Sequence, residues 1–315
     1  MKVVILNSKG TEQDIFKFGN DLLEKLKSRY EVVMRNEIQP DFSNIPELYD
    51  DDEKIVLFNP FSFKEGFDAF KLFSKELPNF KNIKYLFSTY SFYTGLDLAQ
   101  LKKMGIRYRN NGGANADSVA QWAIASIYAL LSRFPELSKS KQMADGSILG
   151  EELEGKTAGV IGMGNVGQSL LATLEKMGIR TVYTNRTAKD VSAKQVGLEK
   201  LVEQDLIFIT IATNDETKEM LTKLSTLLKS HNYVIDVSHH DDLYDKKAVL
   251  SLLNEGKIKG FALEAEESME SDKNFIITHG IAWCTQDAER KTIENYLNFA
   301  FKVLEGRESE IDFII

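Results

Sequence analysis

Four things are scarce in this 315-residue chain, and each scarcity excludes something. There is one cysteine, Cys284, so neither an internal disulfide nor a multi-cysteine zinc site can form, and a reducing compartment is the natural setting. Five prolines leave little linker character anywhere. Long apolar runs are missing: the longest mostly apolar helical stretch, Trp122–Leu131, is too short to span a bilayer. The opening MKVVILNSKG carries four consecutive apolar residues and reads as a first β-strand, not as a signal peptide. Positive charge is also short. Lys plus Arg number 39 against 47 Asp plus Glu, a net charge of −8. That balance argues against nucleic acid or an anionic membrane surface as the main partner. The expected setting is the cytoplasm.

What is present is a core-forming composition, 43% hydrophobic and 27% charged. The length suits about two domains. Short apolar or β-branched runs at Val3–Leu6, Glu31–Met34, Lys54–Phe58, Ile83–Ser88 and Ile106–Arg109 read as strands. Amphipathic stretches at Glu12–Ser28, Lys64–Leu77 and Leu96–Met104 read as the helices between them. This is a βαβ series, hence a parallel sheet with helices on both faces. The stretch Asn115–Phe134 reads as one long helix. A second series follows, with strands at Thr157–Ile161, Thr181–Tyr183, Leu206–Ile211, Tyr233–Val237, Gly260–Leu263 and Phe275–Thr278. The chain closes in a helix, Gln286–Leu304, with apolar residues at helical spacing. The expected fold class is α/β, with two Rossmann-like or flavodoxin-like domains built on parallel sheets.

Gly162-Met163-Gly164-Asn165-Val166-Gly167 is a G-x-G-x-x-G motif. It follows an apolar strand, opens an apolar helix, and a second strand comes within about 30 residues, the context that a dinucleotide fingerprint requires. Its glycines allow a tight turn and let backbone N–H groups approach a pyrophosphate at a helix N-terminus. The next strand ends Tyr183-Thr184-Asn185-Arg186-Thr187. The acid that would bind the ribose 2′-hydroxyl of NAD is missing. An arginine flanked by Asn185 and Thr187 suits a 2′-phosphate, which favours NADP(H) over NAD(H).

Other segments add to the motif. Met104-Gly105-Ile106 leads to Asn110-Asn111-Gly112-Gly113-Ala114-Asn115, and Leu153-Glu154-Gly155-Lys156-Thr157 precedes the glycine turn. Thr210–Thr217 and Ile281-Ala282-Trp283-Cys284-Thr285 complete the set. Together they resemble the D-isomer-specific 2-hydroxyacid dehydrogenase family, nearest its glyoxylate/hydroxypyruvate reductase branch. The resemblance holds by motif from Ile83 onward and by fold pattern before it. It implies a nucleotide-binding domain over residues 113–285. It also implies a substrate domain split between both chain ends, residues 1–112 and 286–315, and a homodimer. It implies hydride transfer between a nicotinamide and C2 of a small 2-hydroxy or 2-keto acid. Ile211, Ala212, Thr213 and Thr217 then lie in the loop that covers the cofactor. Val237, Ser238 and Glu264 join them at the neighbouring strand ends.

The substrate side departs from the family. Its arginine should follow the strand ending at Asp236. Counting forward places His239 there and counting back from Asp245 places His240. The family's glutamate falls on Met269. Its histidine falls on Gly280, with His279 one place earlier. The glycine-rich carboxylate loop aligns with Tyr90-Ser91-Phe92-Tyr93-Thr94, where aromatic residues replace both glycines. Three of the four histidines lie in these two loops. One reading gives the proton transfer to His279 or His240, paired with Glu264, Glu266 or Glu267. In a second, catalysis has been lost and the protein is a dimeric NADP-binding sensor or interaction protein. A metal site at His239, His240, Asp241 and Asp242 matches no ligand spacing. Turnover of small 2-keto acids is expected to be weak, because a histidine offers less than an arginine to a carboxylate.

Overall fold

The computed structural model describes the chain except residues 8, 61–67, 92, 94, 140–145 and 239–241, and describes residues 9–11 by their backbone. The chain divides into two compact units, Met1–Asn115 with Gln286–Ile315, and Ala116–Thr285.

The first unit is built on strands β1 (Lys2–Leu6), β2 (Val32–Arg35), β3 (Lys54–Phe58), β4 (Ile83–Ser88) and β5 (Arg107–Asn110). They form one parallel sheet in the order β2-β1-β3-β4-β5. Strand side chains alternate between faces, so each strand feeds two cores. Val3, Ile5, Ile55 and Leu57 pack with Ile15 and Leu23 of the helix Lys9–Lys27 and with Ile293 and Leu297 of the helix Gln286–Leu304. Val4, Leu6, Val56 and Phe58 face the other way, onto Phe70, Phe73 and Phe80. Lys54 is fully buried. Its ammonium donates to the carbonyls of Asp50 at 2.9 Å and Lys81 at 2.7 Å and pairs with the Asp50 carboxylate at 3.0 Å, which satisfies the charge.

The second unit carries β6 (Thr157–Ile161), β7 (Arg180–Thr184), β8 (Lys194–Gln195), β9 (Leu206–Ile209), β10 (Tyr233–Asp236), β11 (Gly260–Glu264) and β12 (Phe275–Thr278). All pair in parallel, in the order β12-β11-β10-β9-β6-β7-β8. Val160, Phe208 and Ile235 pack against Ile127 and Leu130 of the helix Ala116–Leu131 and against Leu170 and Leu174 of the helix Asn165–Lys176. Ile161, Ile207, Ile209 and Val234 pack on the opposite face with Val249 and Leu253. The expected helix Asn115–Phe134 is shorter than its apolar pattern. Arg133 adopts a left-handed backbone, φ 58°, and Pro135 begins a separate short turn of helix at Phe134–Leu137. The strand expected over Leu206–Ile211 stops at Ile209; Thr210 still gives its amide to the Ile161 carbonyl at 2.9 Å and adds its hydroxyl to the Gly162 carbonyl, and the chain leaves the sheet after it.

Glu151 ties the second unit together. It accepts a hydrogen bond from the Tyr233 hydroxyl at 3.2 Å and pairs with Lys156 and Lys259. Burial acts to raise its pKa, but the two lysines outweigh burial and hold the carboxyl at about 2, below the ordinary 4.5. A depressed folded pKa stabilises above the unfolded value, and that stabilisation is lost as pH falls through the folded one. Glu151→Gln is therefore expected to lower stability at neutral pH by about 2 kcal/mol. Below pH 4.5 the difference from wild type should shrink, and it should vanish near pH 2. Urea unfolding of both proteins at pH 7 and near pH 3 checks this; an equal difference at both pH values contradicts it.

Candidate cofactor site

The strand order reverses between β6 and β9, so the crevice at their carboxyl ends is where an open α/β sheet offers a ligand site. Gly162 leaves β6 with φ +100°, a conformation that favours glycine. A Cβ there would lie 2.9 Å from the Ile211 Cα. At Gly167 a Cβ would lie 2.1 Å from the Gly162 carbonyl oxygen. These two glycines are required by the turn itself. Gly164 is different: it is exposed, and a Cβ on it would meet nothing within 4 Å. It precedes the helix Asn165–Lys176 and makes no side-chain cap, so the amides at that helix start face open space. An open helix N-terminus of this kind suits a phosphate.

The loop is held from two sides. The Thr210 hydroxyl donates to the Gly162 carbonyl at 2.6 Å, joining the ends of β6 and β9. The Met163 amide donates to Asn185 Oδ1 at 3.1 Å, and Asn185 Nδ2 donates to the Thr187 carbonyl at 2.8 Å. Asn185 thus positions the glycine turn and the loop after β7. Arg186 is 77% exposed on its side chain and pairs with Glu216 Oε2 at 3.1 Å. Thr187 is exposed, and Asn165 and Ala212 are likewise at the surface, while Val166 and Ile211 are half-buried.

After β9, Asn214 and Thr217 form a capping box for the helix Asp215–Leu221. The Thr217 hydroxyl also reaches the Ala212 carbonyl at 2.9 Å, so it shapes its own loop. Thr213 Oγ1 and Ser238 Oγ, at the ends of the loops leaving β9 and β10, are buried and have no hydrogen-bond partner among the described residues. Two orphaned hydroxyls beside the crevice match a missing polar ligand. Val237 is half-buried, and its amide donates to the Ile209 carbonyl at 3.0 Å.

Asp236, at the end of β10, is fully buried. Its oxygens accept from the Ser238 amide at 2.8 Å and the Tyr244 hydroxyl at 2.8 Å, and Lys246 lies 3.4 Å away. It anchors both ends of the loop that holds His239 and His240. Those two histidines lie outside the described residues. The sequence offered one signal for this anchor: an acid closing a strand, followed by Tyr244 and Lys246.

Glu264 is buried and accepts from the Thr278 hydroxyl and from the Ala282 amide at 3.1 Å. It fixes the end of β12 and the segment after it, where His279 stands. The His279 ring is exposed, and its Nδ1 lies 2.9 Å from the Ala265 carbonyl oxygen. A carbonyl can only accept, so Nδ1 carries a proton and Nε2 is the atom left to exchange one. The expected His279–carboxylate pair is not formed among the described residues. Glu267 is exposed and pairs with Lys247 at 2.7 Å, and Glu266 is exposed as well. The reason is local: the chain turns away after β11, and the Ala265 carbonyl takes the ring nitrogen instead.

In the other unit, Tyr90 packs on Phe70, with ring centroids 6.3 Å apart, and Phe92 lies outside the described residues. At that sheet's own point of reversal, Asn59 Nδ2 donates to Asn7 Oδ1 at 3.3 Å, and the Thr89 hydroxyl donates to Asn59 Oδ1 at 3.2 Å. Among the described residues no helix is long and apolar enough to cross a membrane, and no group of three or more His, Cys, Asp or Glu is placed to hold a metal ion.

Comparison with known proteins agrees with this geometry. Residues 123–282 match the family model described as the D-isomer specific 2-hydroxyacid dehydrogenase, NAD binding domain. A glyoxylate reductase of Thermococcus litoralis is 26% identical over 225 residues, which cover 64% of this chain and 68% of that protein. Among solved structures, D-2-hydroxyisocaproate dehydrogenase superposes with a TM-score of 0.75 at 20% identity, covering 98% of each chain. An acyclic imino acid reductase in complex with NADPH and D-Arg also gives 0.75, at 19% identity over 100% of each chain. At such identities the two structures speak for the fold.

Proposed function

The chain belongs to the D-isomer specific 2-hydroxyacid dehydrogenase family, and from that premise we propose that it is an NADP(H)-linked reductase of a small 2-keto acid or related carbonyl, with slow turnover. The observation that carries the reading is the glycine turn: Gly164 leaves an open space before an uncapped helix start. Two hydroxyls without a partner among the described residues, Thr213 and Ser238, stand in the loops after the neighbouring strands. These residues fit a nicotinamide dinucleotide. Gly164, Asn165 and Val166 would hold its pyrophosphate, and Thr213 and Ser238 would supply polar contacts. The bound nicotinamide supplies or accepts the hydride. His279 Nε2 gives the carbonyl oxygen its proton. Glu264 and the Ala265 carbonyl keep the ring in place. Slow turnover follows from the missing arginine. Counted along the sequence, His239 or His240 falls at the position by which the family grips the substrate carboxylate, and neither offers a permanently charged fork. Assay of NADPH oxidation with glyoxylate, hydroxypyruvate, pyruvate and simple ketones tests the reading. Slow but measurable oxidation with a 2-keto acid supports it; none with any of these carbonyls sinks it.

The preference for NADP(H) rests on Arg186, whose exposed guanidinium can exchange Glu216 for a 2′-phosphate. Arg186→Ala is expected to weaken NADPH binding roughly 10- to 100-fold while leaving NADH binding nearly unchanged. Calorimetric titration of both cofactors checks this. Equal NADPH affinity in the mutant would leave Arg186 as a surface residue.

A homodimer fits the apolar surface of the second unit. Tyr128, Phe134, Ile148 and Leu149 are large, apolar and exposed at and beyond the end of the helix Ala116–Leu131. Sedimentation at micromolar concentration is expected to give twice the chain mass; a monomer contradicts it. A cytoplasmic setting suits the lone, exposed Cys284, which a reducing environment keeps as a thiol.

A further inference from the structure

We propose that the first unit carries a second small-molecule site, for an organic or inorganic anion with a carboxylate or phosphate group, gripped by Arg109 and Lys302. The site is a cavity of about 220 Å³, whose lining includes these two cations, Asn295, Asn298, Phe87 and Phe299. Its walls are fixed. The helix Gln286–Leu304 supplies one side. The chain after it is pinned before and after the cavity. Glu308 accepts from Tyr85 and Arg107, each at 2.6 Å, and the Ile314 amide donates to the Tyr108 carbonyl at 2.8 Å.

The cations that line this cavity are poorly used. The nearest acid to Arg109 is Asp312, 3.8 Å away and with its side chain 96% exposed. Lys302 lies 3.7 Å from the Glu310 carboxylate and 3.5 Å from its carbonyl, while Glu310 has a closer partner in Arg307 at 3.1 Å. Asn298 has no hydrogen bond to any described residue. Asn295 spends one amide hydrogen on the Asn111 side-chain oxygen at 3.0 Å, so the donors open to an anion are those of Arg109, Lys302 and Asn298. A half-buried guanidinium fork, an ammonium and a free amide around one cavity match the oxygens of a carboxylate or phosphate. Phe87 and Phe299 offer an apolar floor for a short carbon chain. The two acids, Glu310 and Asp312, keep the pocket near neutral overall, so the ligand must be held by directed hydrogen bonds. The site also touches Asn110, Asn111 and Gly112, the segment by which the chain leaves this unit.

The test is calorimetric titration of the full chain with two probes, inorganic phosphate and succinate. Wild type is expected to bind at least one of them with a millimolar or tighter constant and one site per cavity. Arg109→Ala and Lys302→Gln should each weaken that binding about tenfold or more. Asn298→Asp, which sacrifices no hydrogen bond of the fold, should do the same by repulsion. Circular dichroism shows that each variant is folded. A preference for phosphate or for succinate identifies the anion's chemistry. Failure of both probes to bind wild type at about 10 mM overturns the proposal. So does undiminished binding by folded Arg109→Ala and Asn298→Asp, because the anion is then held elsewhere.

Discussion

Gly167→Ala is expected to abolish nicotinamide cofactor binding and to destabilise the second unit by roughly 2–4 kcal/mol. The added methyl would stand 2.1 Å from the Gly162 carbonyl oxygen, a backbone atom that cannot swing aside. Relief requires the glycine turn to open and the Thr210–Gly162 hydrogen bond to break, which pulls the helix Asn165–Lys176 away from β6. Gly164→Ala is the matched control. Its methyl meets nothing within 4 Å, so stability should hold while cofactor binding weakens, because the methyl enters the space proposed for the pyrophosphate. Thermal unfolding and cofactor titration of the two variants separate these effects. If both bind cofactor like wild type, the pyrophosphate does not lie on this turn.

His279→Ala is expected to reduce kcat roughly 100- to 10,000-fold, the usual worth of a general acid, with little change in NADPH affinity. The basis is geometric. Nδ1 is committed to the Ala265 carbonyl, so Nε2 has a fixed tautomer and is the exchangeable site. Glu264 fixes the same segment through the Ala282 amide. An unchanged kcat in His279→Ala would hand the proton transfer to the loop after β10 and its histidines.

Much of the fold was legible because both sheets are parallel and buried on two faces. β3, β4, β6 and β12 fall where the short apolar runs place them, and the closing helix spans Gln286–Leu304 as its spacing requires. Boundaries failed where a single backbone event overrides an apolar pattern. The left-handed Arg133 ended a helix whose periodicity ran on through Phe134. The strand expected to run to Ile211 ended at Ile209, beside the Thr210 hydroxyl that bonds the Gly162 carbonyl. Pro135 was the sequence signal for the first event, outweighed by the apolar periodicity; the second has none, since threonine occupies such positions for reasons of tertiary contact.

The site divided in the same way. The glycine motif is readable because steric exclusion permits only glycine at Gly162 and Gly167. The partners of polar side chains are not readable. Asn185 was expected at the cofactor, and its contacts with Met163 and Thr187 were not foreseen. Glu264 was expected there too, and its carboxylate braces Thr278 and Ala282. The pairing of Glu216 with Arg186, and of Asp236 with Ser238, Tyr244 and Lys246, was not read from the sequence. Acids and amides choose among many neighbours, and that choice is made by the approach of distant strands rather than by local spacing.

One measurement tests the central claim most directly. Wild-type protein is incubated with hydroxypyruvate and NADPH deuterated at the transferable C4 position, and the product is examined by mass spectrometry. A nicotinamide-linked reductase, however slow, delivers the label to C2 of the product hydroxy acid. Absence of label from the product with hydroxypyruvate and, in parallel, with glyoxylate, pyruvate and simple ketones, from protein shown to hold the cofactor, would contradict the account.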